Sequence, residues 1–561
     1  MATKLGRKEL PAGFRAEDFK YAGRPANDQG DFGPDVGVAD CACVDQFGST
    51  GDGGTANHDK FYSGGVVEAR GRWFVYLEWG RAKPGFSWVN GAFTGQDFQF
   101  VDCTSESDAR EFFAKQMDSK NRKRLVQKDI GGKTIWASKP GEDGYLVQKL
   151  ATRQRGLPDA YTIKDSTGVQ TAPIKVAIQD KAVKPAASSV KTFHPKVLDL
   201  ASALVGGVKT YARAASQATG IVPTMSAINE VRDSCLPTAL TLIGQIGPDV
   251  LQQIRDSRLI DLSKYVAALV PRPIPRGGTP EDRALAMILS AQNILSIQQD
   301  LDTYESALKS EKFDTVTVGA TPNYDPDTLL NAHLTWLDPR NEGSTIIQTL
   351  LRMTNNRHSY LSGPMKVLNL FQVDRPDRDA RFMSCAETVA AKRKGQFSLR
   401  ANLQPSIRTD LTDKESKLYQ QANVIFTQHG TRSVNIFPIV SGHFRLPKSL
   451  VNIPLAGSNF GHGTYFATDY KKSASYTSYE RAIWSGGGGG ISGRGAFMFL
   501  CDTVMGDAYR APSTGSWAIP PNGCDSVFGV GGDRGHRLEN DEHICFNPDY
   551  ARIRYVVEFT F

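Results

Sequence analysis

Residues 461–477 read GHGTYFATDYKKSASYT, a glycine-rich turn that carries Tyr465 and Tyr476 with Lys472 and Ser473 between them. A buried strand has little use for so many polar groups, and a solvated loop has little use for so much aromatic surface. The combination suits a slot that holds a flat ring and hydrogen-bonds its edge. Around it run short β-like segments: PMKVLNLFQV (364–373), NVIFTQHGT (423–431), GAFMFLCDTVMG (495–506), HICF (543–546) and RIRYVVEFTF (552–561). Gly/Pro/Asn/Asp loops separate them and few helices interrupt them. The pattern predicts a mixed α+β domain over 319–561 with a largely antiparallel two-sheet core.

The whole chain has 561 residues, 40% of them hydrophobic and 22% charged. Length alone predicts about three or four domains. The formal charge of +7 is mild for this size, so local clustering is a better guide to partners than the total. The eight cysteines are scattered, with no CxxC pair and no histidine at zinc-finger spacing. They read as reduced thiols of an intracellular protein, and no metal site is expected. No apolar run reaches the ~18–20 residues of a membrane span. The first twenty residues, MATKLGRKELPAGFRAEDFK, lack the apolar core of a secretory signal.

Residues 1–40 are rich in Gly, Pro and Asp and predict a flexible lead-in. From 41 to 153 the pattern is strand-rich. GGVVEARGRWFVYLEWGRAKPG (64–85) is a hairpin signal, and Ser105 with Asp108 starts an amphipathic helix whose apolar side is Phe112, Phe113 and Met117. Residues 154–193, poor in large apolar groups, predict a linker. A helical block follows over 194–318. Leu262, Tyr265, Val266, Leu269 and Val270 keep helical spacing, as do Ile294, Ile297, Leu301, Tyr304 and Leu308, and Thr279-Pro280-Glu281-Asp282 is a strong helix start. The glycine-rich loop SGGGGGISGRG (485–495) is of low complexity.

Trp79, exposed-looking, and Arg81 stand two apart in WFVYLEWGR, and KNRKRLVQKDIGGK (120–133) carries Lys120, Arg122, Lys123, Arg124, Lys128 and Lys133 against one acid, Asp129. Tryptophan can stack on a sugar or base and arginine can fork onto a phosphate, whereas a charge run by itself is usually a solvated face. The stretch KFYSGGVVEARGRWFVYLEWGR (60–81), with the helix after it, resembles the WGR domain of poly(ADP-ribose) polymerases. That resemblance implies a grip on 5′-phosphate ends at DNA strand breaks through Trp79, Arg81, Lys120, Arg122, Lys123 and Arg124. DSRLIDLSKYVAALVPR (256–272) and SAINEVRDSCLPTALTLIGQI (226–246) resemble the regulatory helical subdomain of the same family. They imply an all-α cap that blocks the nicotinamide adenine dinucleotide (NAD) site until DNA binding loosens it. No zinc finger precedes the WGR-like stretch, as in the smaller DNA-dependent members.

The opening stretch, with Phe460 before it, resembles the nicotinamide-binding signature of the ADP-ribosyltransferase domain in these enzymes. Three separated pieces match in order: QHGTR with His429, GTYFA with Tyr465 and NDEHICF with Glu542. The resemblance implies NAD+ as co-substrate and no metal. It assigns the nicotinamide carboxamide to the Gly430 backbone and the Ser473 hydroxyl, and the ring faces to Tyr476 and Tyr465. His429 would hold the adenosine ribose, and Glu542 would bond the nicotinamide-ribose 2′-hydroxyl and polarise the acceptor. Asn435 and Arg445 align more loosely with groups around the adenosine, and 446–459 would form the loop over the donor site. Lys472 matches a lysine beside the slot or is simply solvated. Thr431 and His543 depart from the family pattern, at a hydroxyl that is kept and at a usually aromatic position.

The expected function is a DNA-break-activated, NAD-dependent ADP-ribosyltransferase, a poly(ADP-ribose) polymerase that modifies itself and other proteins. Two alternatives stand beside it: a mono-ADP-ribosyltransferase or NAD-cleaving toxin-like enzyme, and a non-enzymatic DNA-end-binding scaffold. The expected location is nuclear in a eukaryotic host and cytoplasmic otherwise, with no membrane partner.

Overall fold

The structure is a computed structural model; it describes residues 2–7, 9–14, 18–22, 24–25, 36–43, 60–81, 97–121, 123–139, 142, 144–148, 193–219, 221, 223–272, 279–310, 325–353, 361, 363–397, 408, 410–446, 459–480, 491, 495–515, 517, 519–532 and 538–561. The linker (but for residue 193), Arg122, nearly all of 485–495 and most of 446–459 lie outside them. The chain divides into two compact units, residues 1–187 with 212–305, and residues 188–211 with 306–561.

The first unit is built on strands β1 (Thr3–Arg7), β2 (Lys20–Tyr21), β3 (Arg24–Pro25), β4 (Val36–Cys43), β5 (Lys60–Ala69), β6 (Arg72–Arg81), β7 (Asp97–Cys103), β8 (Leu125–Ile130), β9 (Lys133–Ser138) and β10 (Tyr145–Gln148). Its main sheet runs β1-β7-β6-β5-β4-β10, with β2 and β3 appended, while β8 and β9 form a separate hairpin. The predicted β5–β6 hairpin closes through Arg70 and Gly71, both at positive φ, so the turn twist matches the strands. Helix α1 (Glu106–Lys120) starts where expected, with the Ser105 side chain accepting from Asp108 N–H. It buries Ala109, Phe113 and Met117 against Val75, Leu77 and Val101 of the sheet.

The opposite sheet face presents Phe74, Tyr76 and Phe100, and the N-terminal residues cover it. Phe19 packs 4.8 Å from Phe100, Phe14 lies edge-on to Phe74 at 5.4 Å, and Leu10 is buried with them. Arg70 clamps this segment through both oxygens of Asp18. The flexible lead-in expected over 1–40 is therefore ordered at these points. Composition alone misreads it, because a few apolar residues in a Gly/Pro/Asp-rich stretch suffice to cover an aromatic face.

Helices α2 (Pro195–Thr219), α3 (Met225–Glu230), α4 (Leu236–Ile246), α5 (Val250–Gln253), α6 (Ser257–Leu269), α7 (Pro280–Met287) and α8 (Ile294–Lys309) follow. Thr279 and Asp282 form a reciprocal capping box at α7. Between α3 and α4 the helix widens over Val231–Cys235, where Leu236 N–H reaches the Val231 carbonyl five residues back. Pro237 explains this, since its ring cannot sit against the carbonyl four residues earlier and it has no N–H. The β8–β9 hairpin packs on these helices. Lys128 Nζ donates to Asp261 at 2.8 Å and Lys133 pairs with Glu230, so two lysines of the basic run are spent within the unit.

The second unit holds α9 (Pro326–Leu330), β11 (His333–Leu337), α10 (Ser344–Arg352), β12 (Lys366–Asp374), α11 (Pro376–Arg393), α12 (Asp413–Ala422), β13 (Val424–Gly430), α13 (Ile436–Gly442), β14 (Thr464–Phe466), α14 (Tyr470–Ala474), β15 (Ala496–Val504), β16 (Ala508–Arg510), β17 (Ser526–Gly529), β18 (Glu542–Cys545) and β19 (Ala551–Thr560). Two sheets form, β11-β12-β19-β15-β13 and β14-β18-β17-β16, antiparallel except for β16–β17. This is the mixed, largely antiparallel two-sheet core that the strand pattern predicts. All nine residues of β15 are buried, which accounts for its continuous apolar run. The start of α2 belongs to this unit: His194 stacks on Trp336 at 4.5 Å, and Tyr211 lies under the Arg432 guanidinium at 5.8 Å.

Candidate active site

His429 ends β13, Tyr465 lies on β14 and Glu542 opens β18. The β14–β18 register pairs Tyr465 with Ile544, two residues beyond Glu542. His429 Nδ1 donates to the Tyr465 carbonyl at 2.8 Å, which fixes the tautomer and leaves Nε2 as an acceptor. Burial holds this imidazole below its ordinary pKa, against the bond to Tyr465, so the neutral form is favoured. Phe444 abuts it edge-on at 5.0 Å, with Phe466 at 5.7 Å.

Gly430 meets α14 so closely that a Cβ there would stand 1.7 Å from the Ser473 carbonyl oxygen. Only glycine admits that approach. Asp469 caps α14 by accepting from Lys471 and Lys472 N–H, which sets Lys472, Ser473 and Tyr476 in their places. Ser473 is buried, whereas Tyr476 keeps 39% of its surface exposed. The Tyr465 hydroxyl donates to the Gly461 carbonyl and accepts from Phe460 N–H, both at 2.9 Å, so the first turn of the opening stretch holds its own ring.

Glu542 is buried, and Lys472 Nζ donates to its Oε1 at 2.7 Å. Its Oε2 is buried with no partner among the described residues. Burial acts against the Lys472 ammonium, but the Glu542 carboxylate outweighs it and raises the pKa. Lys472 also lies over the Tyr476 ring at 5.1 Å and reaches its hydroxyl at 3.4 Å. Thus Lys472, which the sequence left between a slot lysine and a solvated one, is an interior ion-pair partner. Its sequence signal was slight: Tyr476 stands four residues on, just past the end of the short helix that carries Lys472.

His429, Gly430, Tyr465, Ser473, Tyr476 and Glu542 therefore converge on one place. Asn435 is buried in the turn after β13, where Nδ2 donates to Thr431 Oγ1 at 2.9 Å and Oδ1 has no partner among the described residues. Arg445 is exposed at the edge of the undescribed 447–458 segment. His543 points away from Glu542 along the strand and stacks on Phe528 at 4.7 Å. Neither of its ring nitrogens has a partner among the described residues, and burial pushes its pKa down to about 3. An imidazole thus occupies an aromatic's place by stacking as one.

The residues fit NAD+ as a substrate on structural grounds. A carboxylate oxygen is buried without a partner among the described residues, a glycine cradle would be filled by any side chain, and the Tyr476 side chain beside them is exposed. In the first unit, Trp79 is half-buried rather than exposed, stacked on Tyr62 at 6.2 Å. It packs, partly buried, against the α1-side core of the sheet. The Arg81 side chain lies outside the described residues. Lys120 stands over Tyr62 at 5.3 Å, Lys123 is exposed, and Arg124 is 3.9 Å from Glu142. No helix among the described residues is long and apolar enough to cross a membrane.

Residues 340–534 match the family described as the poly(ADP-ribose) polymerase catalytic domain. That span contains every residue of the site except Glu542. The chain is similar to chicken protein mono-ADP-ribosyltransferase PARP3, at 24% identity over 49% of this chain and 41% of the relative. It is similar to mouse PARP3 at 22% identity over 85% and 75%, and to maize poly [ADP-ribose] polymerase 2 at 28% over 27% and 25%. The chain spans less than half the length of the chicken and maize relatives. Apart from Glu542, the site thus lies within a stretch that is similar to the poly(ADP-ribose) polymerase catalytic domain.

Proposed function

We propose that the chain is an ADP-ribosyltransferase that cleaves NAD+, rises in activity on binding DNA strand breaks, and modifies protein acceptors including itself. The observation that carries this reading is the Glu542 carboxylate, anchored at one oxygen by Lys472 with the other buried and free to accept. Breaking the nicotinamide–ribose bond builds positive charge on the sugar, and a fixed carboxylate in a partly dry pocket stabilises it. Oε2 accepts from the nicotinamide-ribose 2′-hydroxyl and aligns the incoming nucleophile. The Gly430 backbone and the Ser473 hydroxyl hold the carboxamide, Tyr476 stacks on the ring and Tyr465 closes the other side. His429 Nε2 accepts from the adenosine ribose, while Asn435 and Arg445 line the adenosine end.

The DNA arm rests on the resemblance of 60–81 to a WGR domain and on the cations around Trp79. A regulatory role for the helices is supported by Tyr211 of α2, which lies under Arg432 two residues past Gly430. Polymer formation is the first reading of the product. The alternative, transfer of single units, is favoured by the breadth of similarity to mouse PARP3, whose name states mono-ADP-ribosyl transfer.

The test is NAD+ consumption by the full chain with and without nicked duplex carrying a 5′-phosphate, beside Glu542→Gln, with products resolved on a gel. Strong stimulation and a ladder are expected, with a loss of roughly 10²–10³-fold in the variant. A single band assigns mono-transfer. Binding without NAD+ consumption makes the protein a scaffold and overturns the site.

A further inference from the structure

Arg7, on β1, lies with its guanidinium carbon 5.6 Å from the centre of the Trp79 ring. Trp79 stacks on Tyr62 with planes 20° apart, and Lys120 stands over Tyr62. The row therefore reads cation, ring, ring, cation, on the α1 side of the sheet.

A β-bulge puts Arg7 there. Thr3 and Lys4 pair with Asp102 and Val101, but Arg7 pairs with Gln99, where unbroken pairing would place Gly6. Leu5 packs on the opposite face with Phe74 and Phe100, and alternation alone would carry Arg7 to that face as well. The one extra residue sends it instead to the face of Gln99, Asp97 and Trp79. Gln99 Nε2 donates to the Leu5 carbonyl at 2.7 Å across the irregularity.

Arg7 is weakly engaged where it stands. Its ion pair with Asp97 is 4.0 Å long, and 68% of its side-chain surface is exposed. A guanidinium resting on an aromatic face keeps its N–H edge turned outward, a planar fork that suits phosphate oxygens better than a point charge does. Lys120 at the other end of the row supplies a second cation.

We infer that Arg7 is the phosphate-gripping residue of this surface, that Trp79 is the platform beneath it rather than a base-stacking contact, and that the ligand is the terminal phosphate of a nucleic-acid strand. The inference rests on the DNA-break reading above and adds to it a residue from the extreme N-terminus.

The experiment measures binding of the full chain to nicked duplex bearing a 5′-phosphate or a 5′-hydroxyl across a salt series. The proteins are wild type, Arg7→Ala, Arg7→Lys, Trp79→Phe and Trp79→Ala, alone and combined with Arg7→Ala. For Arg7→Ala we expect roughly ten-fold weaker binding of the 5′-phosphate duplex, a salt slope smaller by about one, and no remaining preference over the 5′-hydroxyl. Arg7→Lys should recover part of the affinity, and the Arg7–Trp79 double variant should lose no more than Arg7→Ala alone. Unchanged melting temperature for Arg7→Ala excludes a mere folding defect, and Trp79→Phe serves if Trp79→Ala does not fold. Wild-type preference for the 5′-phosphate that survives in Arg7→Ala would overturn the inference and leave the DNA-break reading intact. A wild-type chain that binds neither duplex would remove that reading itself. Equal binding of an acidic peptide across the same salt series would overturn the nucleic-acid assignment.

Discussion

At the scale of single residues, the ion pair between Lys472 and Glu542 decides how the carboxylate works. The ammonium occupies one oxygen and leaves the other buried, with no partner among the described residues. Lys472→Met should lower kcat by roughly 10- to 100-fold, because the carboxylate loses the cation that fixes its orientation. Steady-state NAD+ turnover reads the effect. His543 lies next to Glu542 but acts on stability. Its folded pKa of about 3 lies below the ordinary imidazole value of 6.5. The neutral fold is thus fully stable above pH 6.5 and loses stability as pH falls towards 3. Near pH 5 the loss from this group is about 2 kcal/mol. His543→Phe keeps the stacking on Phe528 and removes two unpartnered nitrogens. Its melting temperature should exceed wild type at pH 7.5, and by a wider margin at pH 5.

At the scale of elements, local chemistry was legible wherever a helix or hairpin closes on its own residues. Ser105 caps α1, Thr279 and Asp282 box the start of α7, and Arg70-Gly71 turns the β5–β6 hairpin, all as their types and spacing imply. The widened turn before Pro237 and the bulge that redirects Arg7 were not legible, because each is set by what the element packs or pairs with. Two helical glycines offer a test of propensity. Gly207 in α2 and Gly244 in α4 have open space where a Cβ would go. Alanine at either position should raise stability by about 0.5–1 kcal/mol, read from thermal or denaturant unfolding. The same substitution at Gly430 would strike the Ser473 backbone and abolish the slot.

At the scale of the molecule, the second unit is tied together by buried charge that no local pattern announces. Arg408 donates to Asp502 at 2.8 Å and to Asp410, while Arg554 reaches Asp410 and Tyr419 donates to Asp502 at 2.7 Å. Arg552 joins Asp379 of α11 to Glu415 of α12. Removing one partner strands the others, so Arg408→Met should cost about 3–5 kcal/mol, seen as a lowered melting temperature. The aromatic turn with its polar edge and the two-sheet class follow from the sequence by itself, because strand patterning and local composition carry them, while the His, Tyr and Glu segments are legible there only through the family resemblance. The tertiary structure alone decided that Lys472 belongs to Glu542, that Trp79 is half-buried beneath Arg7, and that the N-terminal residues cover an aromatic sheet face. The reason is separation along the chain: Lys472 and Glu542 stand 70 positions apart. Only packing that buries both side chains gives their charges cause to meet.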